Sequence, residues 1–219
     1  MSAVFQLIAA DPTLDFVNTL DNRFAEAGPV DLLHRYEDLL RFVEQAAVID
    51  AKGVAALARM KHSPAAARSF AAALELREAL ASLLYGGLRT VRPPEVKTLK
   101  ILERHFLASE AHTELVWKPP TSSEKIAPLD WAWGRFEKDA ALPVWALAQF
   151  AARLLTSTSM GHVRMCESDT CRWLFLDTSK NHSRRWCDMK ICGNRMKARR
   201  FSARRKMPAP PIAAMTRNA

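Results

Sequence analysis

Four cysteines, and only four, occupy a window of 27 residues toward the C-terminal end: Cys166-x4-Cys171, fifteen residues, then Cys187-x4-Cys192. Two equally spaced pairs separated by a hairpin-sized insert can bring four thiolates to the corners of a tetrahedron, which is the geometry zinc takes in structural sites. A redox pair normally has two intervening residues and needs no second copy of itself. Disulfides need an oxidising compartment. The chain opens Met1-Ser2-Ala3-Val4 with neither a basic leader nor a long apolar run, so the expected compartment is a reducing cytoplasm. Zn2+ is the leading occupant, an iron–sulfur cluster its main rival, and disulfides or inert thiols the bland alternatives. His162 and His182 lie close enough in sequence to replace a thiolate, but the symmetric set leaves them unneeded. A closed four-sulfur shell has no position for water, which favours a structural over a catalytic metal.

Charge divides along the same line. The chain carries a net charge of +9, with 14 Lys and Arg against 4 Asp and Glu in residues 161–219, and 18 against 19 before them. All the excess positive charge therefore travels with the cysteines, which points to a polyanion partner, nucleic acid first. An anionic membrane surface would require a broad apolar face opposite the charges, and no run of about 18 apolar residues is present to span a bilayer.

The first 160 residues read mostly as helices. Asp11-Pro12 supplies a cap and a proline at the first helical position. From Val30 to Val48 apolar residues recur every three or four positions, predicting one amphipathic helix. Ser63-Pro64 repeats the start signal for a segment expected to end at Gly86-Gly87, and Pro93-Pro94 opens another helix. Thr113–Trp117 and Leu129–Trp133 predict a short hairpin, and the stretch from Val144 to Leu155 predicts a helix stopping near Gly161. After Met207 the Pro- and Ala-rich composition predicts a disordered tail over 208–219.

Between the cysteine pairs, residues 172–177 alternate like a strand and 178–183 form a polar turn, predicting a hairpin whose Trp173 and Phe175, with Trp186, pack over the metal. A unit this small cannot rest on apolar burial alone. Zinc binding, about 10 to 16 kcal/mol in comparable peptides, would supply most of its folding free energy. Cys187→Ser is then expected to release zinc and unfold residues 161–206 while the helical part stays folded. Gly193-Asn194 suits a left-handed turn around the metal, after which a helix begins. From Gly193 to Lys206 seven residues are basic and none is acidic, and Ala198 with Phe201 offers a narrow stripe to dock the helix on the finger. Like charges spaced i, i+4 destabilise an isolated helix, so a partner should relieve them. Arginine predominates, which suits bidentate contact with phosphate or guanine. A solvated basic face or a protein partner is the plainer alternative.

These residues carry a resemblance. Cys166-x4-Cys171, the Trp-Leu-Phe-Leu-Asp-Thr-Ser run at 173–179, Arg184-Arg185-Trp186-Cys187 and Cys192-Gly193-Asn194-Arg195 resemble the CGNR zinc-finger proteins, and Leu14-Asp15-Phe16-Val17-Asn18-Thr19 resembles a segment of their ABATE-type first domain. The resemblance implies a bacterial, stress-responsive transcription regulator with the finger as its DNA-binding module and the helical part as a sensory or regulatory domain.

The fold expected is mainly α: a multihelical N-terminal domain over 1–160 with a short β-hairpin, then a treble-clef-like zinc finger with its basic helix over 161–207. The expected partner is double-stranded DNA in the bacterial nucleoid, contacted by Arg184, Arg185, Arg195, Lys197, Arg199, Arg200, Arg204 and Arg205. An RNA- or ribosome-associated zinc protein is the alternative, in which Trp173, Phe175 and Trp186 would stack on unpaired bases if exposed. Asp15 and Asn18, three residues apart on one helix face, could hold a small polar effector, although the plainer reading is that they cap or cross-link neighbouring elements. Trp117, Trp131 and Trp133 could line a cavity or sit in the core. No Ser, His and Asp set, no H-E-x-x-H and no glycine-rich phosphate loop is present, so no enzyme is expected.

Overall fold

The computed structural model describes residues 5–90, 92–119 and 129–206, the side chains of residue 200 and of 203–206 aside. The expected tail beyond 207 lies outside them.

Helix α1 (Pro12–Val17) begins where the Asp11 carboxylate accepts the Thr13 N–H at 2.8 Å, with Pro12 at the first position. It is short, yet Leu14, Phe16 and Val17 are all fully buried, so its place is fixed by packing rather than by propensity. The amphipathic helix expected from Val30 starts later. Val30–Asp31 (β2) pairs antiparallel with Leu20–Asp21 (β1), and α2 runs from Tyr36 to Gln45. The reason is Asp31, whose carboxylate takes the Leu33 N–H at 2.9 Å and both terminal nitrogens of Arg77 at 2.7 Å. Arg77 is only 3% exposed, and it binds this extended segment to the long central helix. Burial works to raise the Asp31 carboxyl, but the Arg77 guanidinium overcomes it and holds the group below the usual carboxylate range.

Helix α3 (Ala51–Ala58), capped by Asp50, had no clear sequence signal. Helix α4 (Pro64–Arg89) begins at the Ser63 cap and runs 26 residues, about 39 Å, through Gly86-Gly87 to Thr90. Glycine only weakens a helix, and here the stop comes beyond the pair. Helix α5 (Val96–Glu110) follows Pro93-Pro94. The hairpin is present as β3 (Glu114–Trp117) paired with β4 (Leu129–Ala132), and α6 (Leu142–Leu155) follows with Pro143 in its first turn. Leu76, Leu80 and Leu84 of α4, Leu39 and Phe42 of α2 and Leu147 of α6 form the centre of the core around α1. Trp133 borders a cleft of about 390 Å³ beside α3. Trp117 and Trp131 are neither cavity nor core, being 62% and 57% exposed.

The C-terminal part joins this core. Strand β6 (Leu174–Leu176) pairs with β5 (Val163–Met165), not with a strand beyond the 178–183 turn as the alternation suggested. The hairpin therefore encloses the first cysteine pair. Leu174 and Phe175 are fully buried in the same apolar cluster as α1 and α4. Helix α7 (Asn194–Lys206) closes the described chain.

Candidate metal centre

The four sulfur atoms converge, all lying within 4.8 Å of one another. Cys171 Sγ is 3.5 Å from Cys187 Sγ, and Cys187 Sγ is 3.7 Å from Cys192 Sγ. A tetrahedron with metal–sulfur bonds of about 2.3 Å has sulfur–sulfur edges of about 3.8 Å, whereas a disulfide needs about 2.05 Å. The spacing therefore fits four thiolates around one ion and excludes a bridge. Cys166, Cys187 and Cys192 are buried, and Cys171 is half-buried.

Each ligand has a local cause. Cys166 directly follows β5, its N–H held by the Trp173 carbonyl at 2.8 Å across the hairpin. Cys171 and Arg172 both donate their N–H groups to the Ser168 carbonyl, at 3.0 and 3.2 Å, and Arg172 takes a positive φ of 60° to turn the chain back into β6. Backbone N–H groups of Ser168 and Cys187 point at the Cys166 sulfur, and that of Trp173 points at Cys171. Such bonds favour the thiolate.

The second pair is organised by Asp177, which sequence reasoning passed over. Its carboxylate accepts the N–H and hydroxyl of Ser179 at 3.0 and 2.6 Å and the Arg184 N–H at 2.8 Å. Burial pushes that carboxyl up, but these donors hold it below the usual range. The bonded turn carries the chain to Cys187. Cys192 lies in a wide π-type turn, Met189–Gly193, where the Asp188 carboxylate accepts the Ile191 N–H at 2.8 Å and the Asp188 carbonyl accepts from Cys192 at 3.0 Å. Helix α7 starts immediately afterwards. Gly193 and Asn194 keep right-handed backbone; the left-handed positions near the centre are Arg172 and His182. A Cβ on Gly193 would press on Met189 Sδ, but Met189 is 51% exposed and can swing away.

Hydrogen bonds from Cys171 and then Cys187 pull the Cys166 thiol well down; giving those bonds pushes Cys171 and Cys187 up, and burial pushes Cys192 up. Four thiolates packed this closely repel one another. A divalent cation is what allows all four to ionise.

The arginines expected to meet nucleic acid divide into two groups. Arg184 faces inward: it donates from Nε to the Trp186 carbonyl at 2.9 Å and from Nη2 to the Cys187 carbonyl, with its guanidinium 4.8 Å from the Phe175 ring. It braces the loop that presents Cys187. Arg185 pairs with Glu167 and sits 5.2 Å from the Trp186 ring. Arg195 donates to Thr170 Oγ1 at 3.1 Å and, with Cys171, Cys187, Cys192, Asp21 and Trp173, lines a cleft of about 350 Å³ at the seam with the helical part. Lys197 and Arg199 are exposed, and among the described residues no carboxylate pairs with Arg195, Lys197 or Arg199. The backbone positions of Arg200, Arg204 and Arg205 lie in α7, with side chains outside the described set. Ala198 and Phe201, expected to dock the helix, are exposed, Phe201 by 63%, and Met196 at the root of α7 is half-buried.

Asp15 and Asn18 both bind the chain itself. Asp15 Oδ1 accepts the N–H groups of Ile8 and Ala9 at 3.1 and 3.0 Å, and burial pushes its carboxyl up to about 6. Asn18 donates from Nδ2 to the Leu174 carbonyl and accepts the Leu174 N–H at Oδ1, both at 2.9 Å. Its amide thus occupies the open edge of β6 like one residue of a neighbouring strand. Ala9 extends that edge by accepting the Leu176 N–H at 2.8 Å, the Trp173 indole donates to Asp21 at 2.7 Å, and Tyr85 donates to the Arg172 carbonyl at 3.1 Å.

Among known families, residues 162–205 match the CGNR zinc finger, and residues 10–158 match ABATE, described as a putative stress-induced transcription regulator. No curated protein matches the chain. The sulfur geometry and the finger match together make the centre a structural zinc site. With well over half its length matched by ABATE, the chain belongs to that family and carries a CGNR zinc finger behind the ABATE domain.

Proposed function

We propose that the protein is a DNA-binding transcription regulator of the bacterial cytoplasm, in which zinc fixes the root of α7 and α7 lies against the phosphate backbone. One observation carries the reading. A helix with seven basic residues and no acid leaves the metal centre, and Lys197 and Arg199 stand exposed with no carboxylate partner among the described residues. Phosphates would supply affinity and a few arginine contacts to base edges would supply sequence preference. A small-molecule effector of the helical domain would act on α7 through the seam that Asn18 and Asp21 make with β6. The RNA alternative keeps only half-buried Trp186 of its three stacking residues, because Trp173 is 8% and Phe175 0% exposed.

Arg184 and Arg185 are engaged with the finger, so the phosphate contacts fall to Arg195, Lys197, Arg199, Arg200, Arg204 and Arg205. Six contacts give a slope of log affinity against log salt of about −5, a loss of about a thousandfold between 50 and 200 mM salt. Titration of duplex DNA across that range, with structured RNA in parallel, tests the proposal. A flat salt response, or a preference for RNA, would reject it.

A further inference from the structure

The β3–β4 hairpin has two faces of opposite character. Its register sets Leu115 opposite Trp131 and Trp117 opposite Leu129. Residues directly opposite in antiparallel strands share a face, so these four large apolar side chains lie together. They are 55%, 57%, 62% and 60% exposed in that order. The alternate positions carry the charge: Lys118 pairs with Asp130, and Glu114 pairs with Arg135. Among the described residues one face is thus wholly apolar and uncharged, and a two-stranded ribbon of this kind is marginal in water without something packed on it.

We propose that this face is covered by the same face of a second copy of the chain, giving a two-fold dimer. The pattern is self-complementary. Large and small alternate as on a chequerboard, Leu115 beside Trp131 in one row and Trp117 beside Leu129 in the next. A two-fold axis along or across the strands, midway between two such faces, sets every tryptophan on a leucine of the other copy. None of the charged residues described on the hairpin is brought into the interface. The exposed area of the four side chains is roughly 500 Å² on each copy, so pairing removes roughly 1,000 Å² from water, the lower range of a specific interface. Symmetric, isologous pairing is also the commonest way for a soluble chain to cover such a patch.

Sedimentation velocity of the zinc-loaded full chain, without nucleic acid, from 1 to 100 µM tests the proposal independently of any role in DNA binding. The wild-type chain is expected to dimerise with a dissociation constant near or below about 10 µM. Trp131→Glu, and separately Leu115→Glu, should weaken association at least about 100-fold and leave a monomer with unchanged circular dichroism and zinc content. A wild-type chain that stays monomeric throughout, or that instead cosediments with phosphatidylcholine vesicles, would overturn the proposal. So would dimers that persist in both variants.

Discussion

Asn18→Ala tests how the finger and the helical domain are joined. Asn18 is 3% and Leu174 0% exposed, and the Asn18 amide satisfies both backbone groups of Leu174. Truncation leaves a buried N–H and a buried C=O without partners, each at about 1–3 kcal/mol. Some relaxation around the vacated amide reduces the sum, so the expected loss is about 3 kcal/mol. With a urea dependence of about 2.5 kcal/mol per molar, that moves the unfolding midpoint down by about 1.2 M. The assay is urea unfolding at pH 7, read by tryptophan fluorescence and by zinc release to a chromogenic chelator, and the two curves should shift together because β6 belongs to the common core. Asn18→Asp sharpens the test. It keeps the acceptor for the Leu174 N–H but sets a carboxylate oxygen against the Leu174 carbonyl. The buried carboxyl would have a raised folded pKa, so the variant should regain stability as pH falls. A loss under about 1 kcal/mol for Asn18→Ala, or an Asp variant as stable as wild type at pH 7, would refute the argument.

Asp15, with its carboxyl pushed up to about 6 by burial, binds more protons folded than unfolded between pH 4 and 6, so stability falls as pH rises through that window. Asp15→Asn keeps the acceptor for Ile8 and Ala9, and thermal melts should show that slope flattened and about 2 kcal/mol gained above pH 6. Arg184→Met should lower zinc affinity, measured by competition with a chelator, at least tenfold, and it should leave the salt slope for DNA unchanged; Arg199→Ala should do the reverse, reducing the slope by about 1. Gly193→Ala should change stability by less than about 0.5 kcal/mol and keep stoichiometric zinc by metal analysis, because the backbone there is right-handed and Met189 can yield.

What could be read from the sequence was local. Thiolate spacing announced the metal, an acid-free run announced the basic helix, and Asp11-Pro12 and Ser63-Pro64 marked helix starts because a cap and its partner sit within three residues. What could not be read depended on distant partners. Strand β6 finds its far edge on Asn18, 156 residues away. Likewise Val30–Asp31 reads as helix until Arg77 of α4 claims the Asp31 carboxylate. The knuckle's reversal gave no signal because Arg172, not a glycine, takes the positive φ. Arg184 looked like its basic neighbours, and only its carbonyl partners distinguish a brace from a free cation. For the same non-local reason, loss of zinc through Cys187→Ser should be felt in the helical domain as well, because Leu174 and Phe175 are part of its core.

The seam around β6 also limits how this protein can be rearranged. A peptide cut at residue 161 would keep all four sulfurs and the arginines, but Leu174 and Phe175 would face water and one strand edge would lie open to any passing chain. Grafting that peptide onto another protein would transplant the metal ligands without the surface that seats them. Recombination between relatives should then succeed only when the segment around Asn18 and Asp21 travels with the cysteines, so these two distant stretches are expected to be inherited as a pair.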